Sequence, residues 1–232
     1  MGLLHRKPKI GIEEFCRQFY DSEIFYPIVG GRDVWSSFLA TVLNSVAESD
    51  RSFSAIDPAV FEQEMIALRI ELFGLAWMHH WREERLLLPE IAFTKHYLEL
   101  NGKPEIWHAM LDYNRAIARS QDEMPQGPSR FTIQEAYLTF RNRLRSEFLA
   151  KSMKARVDPE YAARAANRIS TDATWSDSSG IEMLAATLIQ RLGCQLKPEG
   201  CLRLEAVIFG LYAGARKSIK VASPRIMLPP VA

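Results

Sequence analysis

The chain has 232 residues, with 29 basic and 28 acidic side chains, a net charge of +1, 47% hydrophobic residues and three cysteines. That balance describes a globular protein long enough for one substantial core or two small ones and excludes collagen-like, disulfide-stapled and disordered classes. The longest apolar run, Ala206 to Ala215, is well short of the about 18 residues of a membrane-spanning helix.

The punctuation is helical throughout, and strand-like alternation is nearly absent. The basic N-terminus leads into no hydrophobic signal core, and Arg6 stands where a myristoylation signal has Ser or Thr. Cys16, Cys194 and Cys201 form no CxxC pair, so the expected setting is the reducing cytoplasm, with thiols serving as small core residues.

The first helix is predicted over Ile12 to Tyr20 and the second over Asp33 to Glu48, with Gly30-Gly31 read as the turn before it. Asp57-Pro58 is an N-cap followed by a first-turn proline, opening a long helix to Trp81. Helices over Pro89 to Leu100 and Pro104 to Arg119 follow, separated by the Asn101-Gly102 stop. Ile106, Met110, Tyr113 and Ile117 form one clean apolar stripe, and Ile133, Tyr137, Phe140, Leu144 and Phe148 form another.

The polar, Pro/Gly-bearing stretch Gln121 to Arg130 is the candidate internal boundary. Beyond it, capping boxes at Thr132/Glu135 and Ser179/Glu182 and the N-cap Asp158-Pro159 mark helices over Ile133 to Lys154, Pro159 to Ile169 and Ile181 to Leu192. Trp175, in the loop Ser170 to Gly180, is read as a plug on the core. Gly193 stops the eighth helix, and Pro198 to Val221 is the ninth. The apolar, proline-bearing tail Ser223 to Ala232 is expected to pack on the body or on a partner. The fold class is therefore all-α: one bundle of eight or nine helices.

Two of these helices share Leu-Arg-(Ile/Leu)-Glu followed by Phe-Gly-Leu, in LRIELFGL from Leu68 and LRLEAVIFGL from Leu202, which raises the idea of two related halves. Both are apolar almost all round, so Arg69, Glu71, Arg203 and Glu205 are expected to form a buried-charge network. Residues two apart on a helix point in nearly opposite directions, so the expected pairs cross between helices: Arg69 with Glu205, or Glu71 with Arg203.

Glu64, Glu71, His79, His80 and His108 are the candidate ligands for a divalent metal, and Glu105-x-x-His108 has the spacing of carboxylate-bridged bundles. The spacing also argues against one shared ion, because Glu64 and Glu71 lie roughly 10 Å apart along a helix axis. A mononuclear site of His79 or His80 with His108 and Asp112 is a further candidate. No G-x-S-x-G, H-E-x-x-H, P-loop or G-x-G-x-x-G motif is present, so no catalytic residue is assigned and a non-enzyme is favoured.

Charge is unevenly spread, with four basic residues against eleven acids over 11–80 and fifteen against eight over 141–225. Arg141, Arg145, Lys154 and Arg156 form a basic surface without interleaved aromatics, which is weak evidence for nucleic acid and suits an acidic partner, including the acidic N-terminal region of another copy, about equally well. The expected function is a protein-interaction or self-assembly module without a cofactor. The alternative is a small-ligand or metal-binding bundle with a Glu/His site.

Overall fold

The computed structural model describes residues 9–21, 31–81, 87–122 and 178–227, together with a few positions between 142 and 160. Seven helices occupy the described residues: α1 (Ile12–Phe19), α2 (Gly31–Ser49), α3 (Pro58–Trp81), α4 (Leu87–Leu100), α5 (Pro104–Asp122), α6 (Ser178–Arg191) and α7 (Pro198–Ala222). The expected helices over Ile133 to Lys154 and Pro159 to Ile169, the 121–130 boundary and Trp175 lie outside the described residues, apart from isolated helical positions. All-α is therefore right for the described chain, with seven helices there against the eight or nine expected.

The helix ends follow from local chemistry. Asp57 Oδ1 accepts the Ala59 N–H at 2.7 Å and Asp158 Oδ1 accepts the Glu160 N–H at 3.3 Å, so both aspartates cap as expected. Gly102 and Gly193 both adopt φ of 64°, the left-handed conformation that suits glycine. Each is followed by a six-to-one backbone bond, Lys103 N–H to Leu98 O and Cys194 N–H to Ile189 O, which closes the preceding helix.

α3 is the centre of the bundle. Its thirteen buried residues lie on every side of the helix and include Glu64 and Glu71, so both carboxylates must be satisfied by neighbouring helices. α3 packs most extensively on α7 and α5, while α1 and α4 pack on each other. Phe19 stacks on Phe73 at 4.3 Å between ring centroids, and Phe15 stacks on Trp77 at 5.8 Å, which docks α1 onto α3. Tyr20 meets Tyr97 of α4 edge-on at 5.5 Å, placing its hydroxyl among the α4 side chains.

Two features have no counterpart in the sequence reading. A short 3-10 helix, Arg51–Ala55, joins α2 to α3. Ile10–Gly11 and Ile226–Met227 form a two-stranded parallel clasp, with Ile10 opposite Ile226. Ile226 is buried, so this part of the tail packs on the body of its own chain. Among the described residues, no helix is long and apolar enough to cross a membrane.

Candidate functional site

The candidate site is a cavity of about 250 Å³ where α3, α4 and α5 meet. α3 contributes Ile70, Glu71, Gly74, Leu75 and Met78, which share a face through spacings of three and four. α4 contributes Glu90, Ile91 and Thr94, and α5 contributes Trp107, Met110, Leu111 and Asn114. Ile91 and Leu111 are both partly exposed, so the cavity opens through an apolar rim.

Two buried carboxylates stand in this otherwise largely apolar wall. Glu90 is 4% exposed, and its Oε1 accepts hydrogen bonds at 3.1 Å from the Tyr20 hydroxyl and from the Thr94 hydroxyl. The same two hydroxyls lie 2.6 Å apart, within hydrogen-bond reach of each other, and Thr94 also reaches the Glu90 carbonyl at 2.9 Å, so Tyr20, just past α1, and Thr94 of α4 share their two protons around one carboxylate oxygen. Glu71 is 8% exposed, and its Oε1 accepts from Asn114 Nδ2 at 3.1 Å.

Burial pushes the Glu90 carboxyl up to about 7, with the Tyr20 and Thr94 hydrogen bonds acting in the opposite sense. Burial likewise pushes Glu71 up to about 7; the Asn114 hydrogen bond opposes the shift and the nearby Glu90 charge adds to it. Burial also raises the Tyr20 hydroxyl, reinforced by Glu90, so Tyr20 stays protonated beside this site. Cys16 is likewise raised, first by burial and then by Glu90 and Glu13.

Gly74 leaves α3 bare where it faces Glu90, since a Cβ there would lie 3.8 Å from Glu90 Oε2. That is ordinary contact distance, and alanine is favoured over glycine inside a helix by about 1 kcal/mol. Gly74→Ala is therefore expected to stabilise the protein by about 0.5–1 kcal/mol at pH 5. The gain should be smaller at pH 8, because the methyl further dehydrates the ionised Glu90. Thermal unfolding at the two pH values measures both.

The residues singled out from sequence scatter among different partners. Glu64 takes a bidentate ion pair from Arg191 of α6, Nε to Oε2 at 2.7 Å and Nη2 to Oε1 at 2.8 Å, and accepts the Tyr113 hydroxyl at 2.8 Å. Arg191 Nη1 also reaches Asp112 Oδ2 at 2.5 Å, and Arg115 meets Asp112 Oδ1 at 3.0 Å. The Glu64 hydrogen bonds hold the Arg191 guanidinium above its usual range, so it stays charged.

His79 Nδ1 lies 2.6 Å from the Tyr212 hydroxyl of α7. His80 stands edge-on to Trp81 and is held below its usual range by burial, then by Arg216 and Lys220. His108 is exposed. The structure thus separates Glu64, Glu71, His79, His80 and His108, and the His108–Asp112 alternative loses Asp112 to the arginines. Among the described residues, no three His, Cys, Asp or Glu are grouped to hold a metal ion.

The expected cross-helix charge pairs also need correction. Arg203 turns to α2, donating to the Ser45 carbonyl at 3.0 Å and to Glu48 at 3.3 Å, and it reaches Glu199 within α7 at 2.7 Å. Glu71 faces α4 and α5 instead. Glu205 is buried, its Oε2 makes no hydrogen bond, and its carboxyl is pushed up to about 7 by burial and then by Glu182. Arg69 supplies no ion pair to it among the described residues. Two residues that diverge around a helix enclosed by neighbours reach different neighbours, so the Leu-Arg-x-Glu segments need not face one another. Of the basic surface, Lys154 is exposed; Arg141, Arg145 and Arg156 lie outside the described residues.

Glu90, Asn114, Thr94 and Tyr20 were not legible as site residues. The available signal was spacing: Glu90 shares a helical face with Thr94 and the aromatic Phe93 and Tyr97, which places the carboxylate on the inward side of α4.

Fold and site together define an all-α protein whose cavity carries two buried carboxylates. No protein-family model, curated protein or solved structure matches the chain.

Proposed function

We propose that the protein binds a small ligand in the cavity between α3, α4 and α5. The observation that carries this reading is the presence of two buried carboxylates of raised proton affinity on the wall of one apolar cavity. Apolar pockets with a few convergent polar groups of perturbed titration are the usual form of a ligand site. The cavity, at about 250 Å³, is smaller than the roughly 300–1,000 Å³ of pockets for drug-sized molecules. A cavity of about 150 Å³ takes benzene, so a single ring with a short polar arm is the right scale.

Docking to an acidic protein or self-association through the basic surface is the other reading, and Arg141, Arg145 and Arg156 of that surface lie outside the described residues. Ile226 of the tail it relied on is buried in its own chain.

Met78 and Met110 line the cavity, whereas Met183 and Met227 do not. Titration of protein labelled with carbon-13 in its methionine methyls is expected to give saturable shifts at Met78 and Met110 with benzyl alcohol, leaving Met227 unmoved. The absence of any saturable shift at those two methyls, with benzyl alcohol or with charged analogues of its size up to several millimolar, overturns the reading.

A further inference from the structure

Each of the two cavity carboxylates keeps one oxygen that no described residue serves. Both hydrogen bonds to the Glu90 carboxylate land on Oε1, and the bond to the Glu71 carboxylate lands on its Oε1. Neither Oε2 receives a hydrogen bond from a described residue, although both carboxylates are more than nine-tenths buried and line the same space. Among the described lining residues there is no lysine, arginine or histidine to neutralise them. A buried carboxylate in an apolar wall without a counter-ion is costly unless a proton or a cation joins it.

Resting on the reading of this cavity as a ligand site, we infer that its ligand is a protonated primary amine on a small apolar body, the ammonium bridging Glu71 Oε2 and Glu90 Oε2. An ammonium presents three donors and no acceptor, which matches a wall with two open acceptors. A neutral alcohol has one donor and leaves an acceptor unmet. An anion meets two carboxylates and no cation. A hard divalent ion requires six or more oxygen ligands, and this wall is mainly aliphatic, aromatic and thioether. Trp107, Met78 and Met110 suit the carbon body of an amine and, through the indole face, its charge.

Binding is coupled to protons. From α1, Glu90 faces Cys16 and Tyr20, both held neutral; from α3 it faces Glu71; and α5 offers the untitratable Asn114. Glu71 and Glu90 are therefore the groups whose ionisation makes room for the ammonium charge, and the amine competes with their protons.

The test compares benzylamine, benzyl alcohol and phenylacetate at pH 8 and pH 6, read at the Met78 and Met110 methyls. At pH 8 benzylamine is expected to bind about tenfold or more tightly than benzyl alcohol, the margin between a charge-assisted and a neutral hydrogen bond. Phenylacetate is expected not to bind. The amine's advantage should shrink at pH 6, where both carboxyls are largely protonated. In the double variant E71Q/E90Q, with folding checked by circular dichroism, that advantage should disappear.

Equal affinity for the amine and the alcohol overturns the inference while leaving the cavity as a ligand site. An advantage that survives in the double variant overturns it as well. Failure of all three probes to shift either methyl overturns both the inference and the reading beneath it.

Discussion

Glu90→Gln is expected to stabilise the protein at pH 8 by about 3 kcal/mol, a rise in Tm of roughly 6–12 °C for a chain of this length. The carboxyl stands at about 7 in the fold against an ordinary value of 4.5, because burial disfavours its charged form. Between those two values the folded state holds a proton that the unfolded state has released. The contribution of Glu90 is therefore fully present below about pH 4.5 and is lost as pH rises through about 7. Glutamine keeps the shape of the protonated acid and does not titrate, so the difference between variant and parent opens across that window and levels off above it.

Glu71→Gln should behave similarly, since Glu71 also stands at about 7. Part of each gain is relief of the same mutual repulsion, so the double variant should gain less than the sum of the singles. Urea unfolding of the four proteins at pH 5 and pH 8 measures all of this, and a parent whose stability is flat from pH 5 to 8 contradicts it. Carboxylates that cost stability at neutral pH, placed on a cavity wall, are what a trade of stability for binding produces.

The helices were legible because their ends are written locally. Pro58, Pro104 and Pro198 each open a helix at the position where a missing N–H costs nothing, and Gly102 and Gly193 close two with a positive φ. The buried state of Glu71 and Glu205 was legible too, because α3 and α7 are apolar on nearly every side.

What occupies the other side of each helix was not. His79 finds Tyr212, Arg191 finds Glu64 and Tyr20 finds Glu90 across separations of 133, 127 and 70 residues, and no single helix's periodicity encodes such a meeting. The cavity is the extreme case, because it exists only where three stripes meet and one of them carries a glycine. The Ile10/Ile226 clasp escaped for the opposite reason: two residues per strand are too few to show alternation.

Arg191→Met is expected to destabilise the protein by about 3 kcal/mol. The guanidinium is the last residue of α6, where a cation also suits the helix dipole, and it joins Glu64 of α3 to Asp112 of α5. Methionine fills much of the same space without the charge, leaving buried Glu64 with the Tyr113 hydroxyl as its remaining donor among the described residues.

Adding Glu64→Gln should recover most of that loss, because an amide buried beside Tyr113 costs far less than an uncompensated charge. Strict additivity of the two substitutions in urea unfolding at pH 7 would show that the pair is not coupled.

The substitution also reaches the cavity by a defined route. Glu64 and Glu71 are seven residues apart on nearly the same face of α3, and Tyr113 precedes Asn114 on α5, so the Arg191 clamp sets the α3–α5 spacing next to the Glu71–Asn114 hydrogen bond. Under conditions where Arg191→Met is still fully folded, benzylamine affinity is therefore expected to fall severalfold. In Arg115→Ala, which removes only an exposed ion pair to Asp112, it should stay within about twofold of the parent.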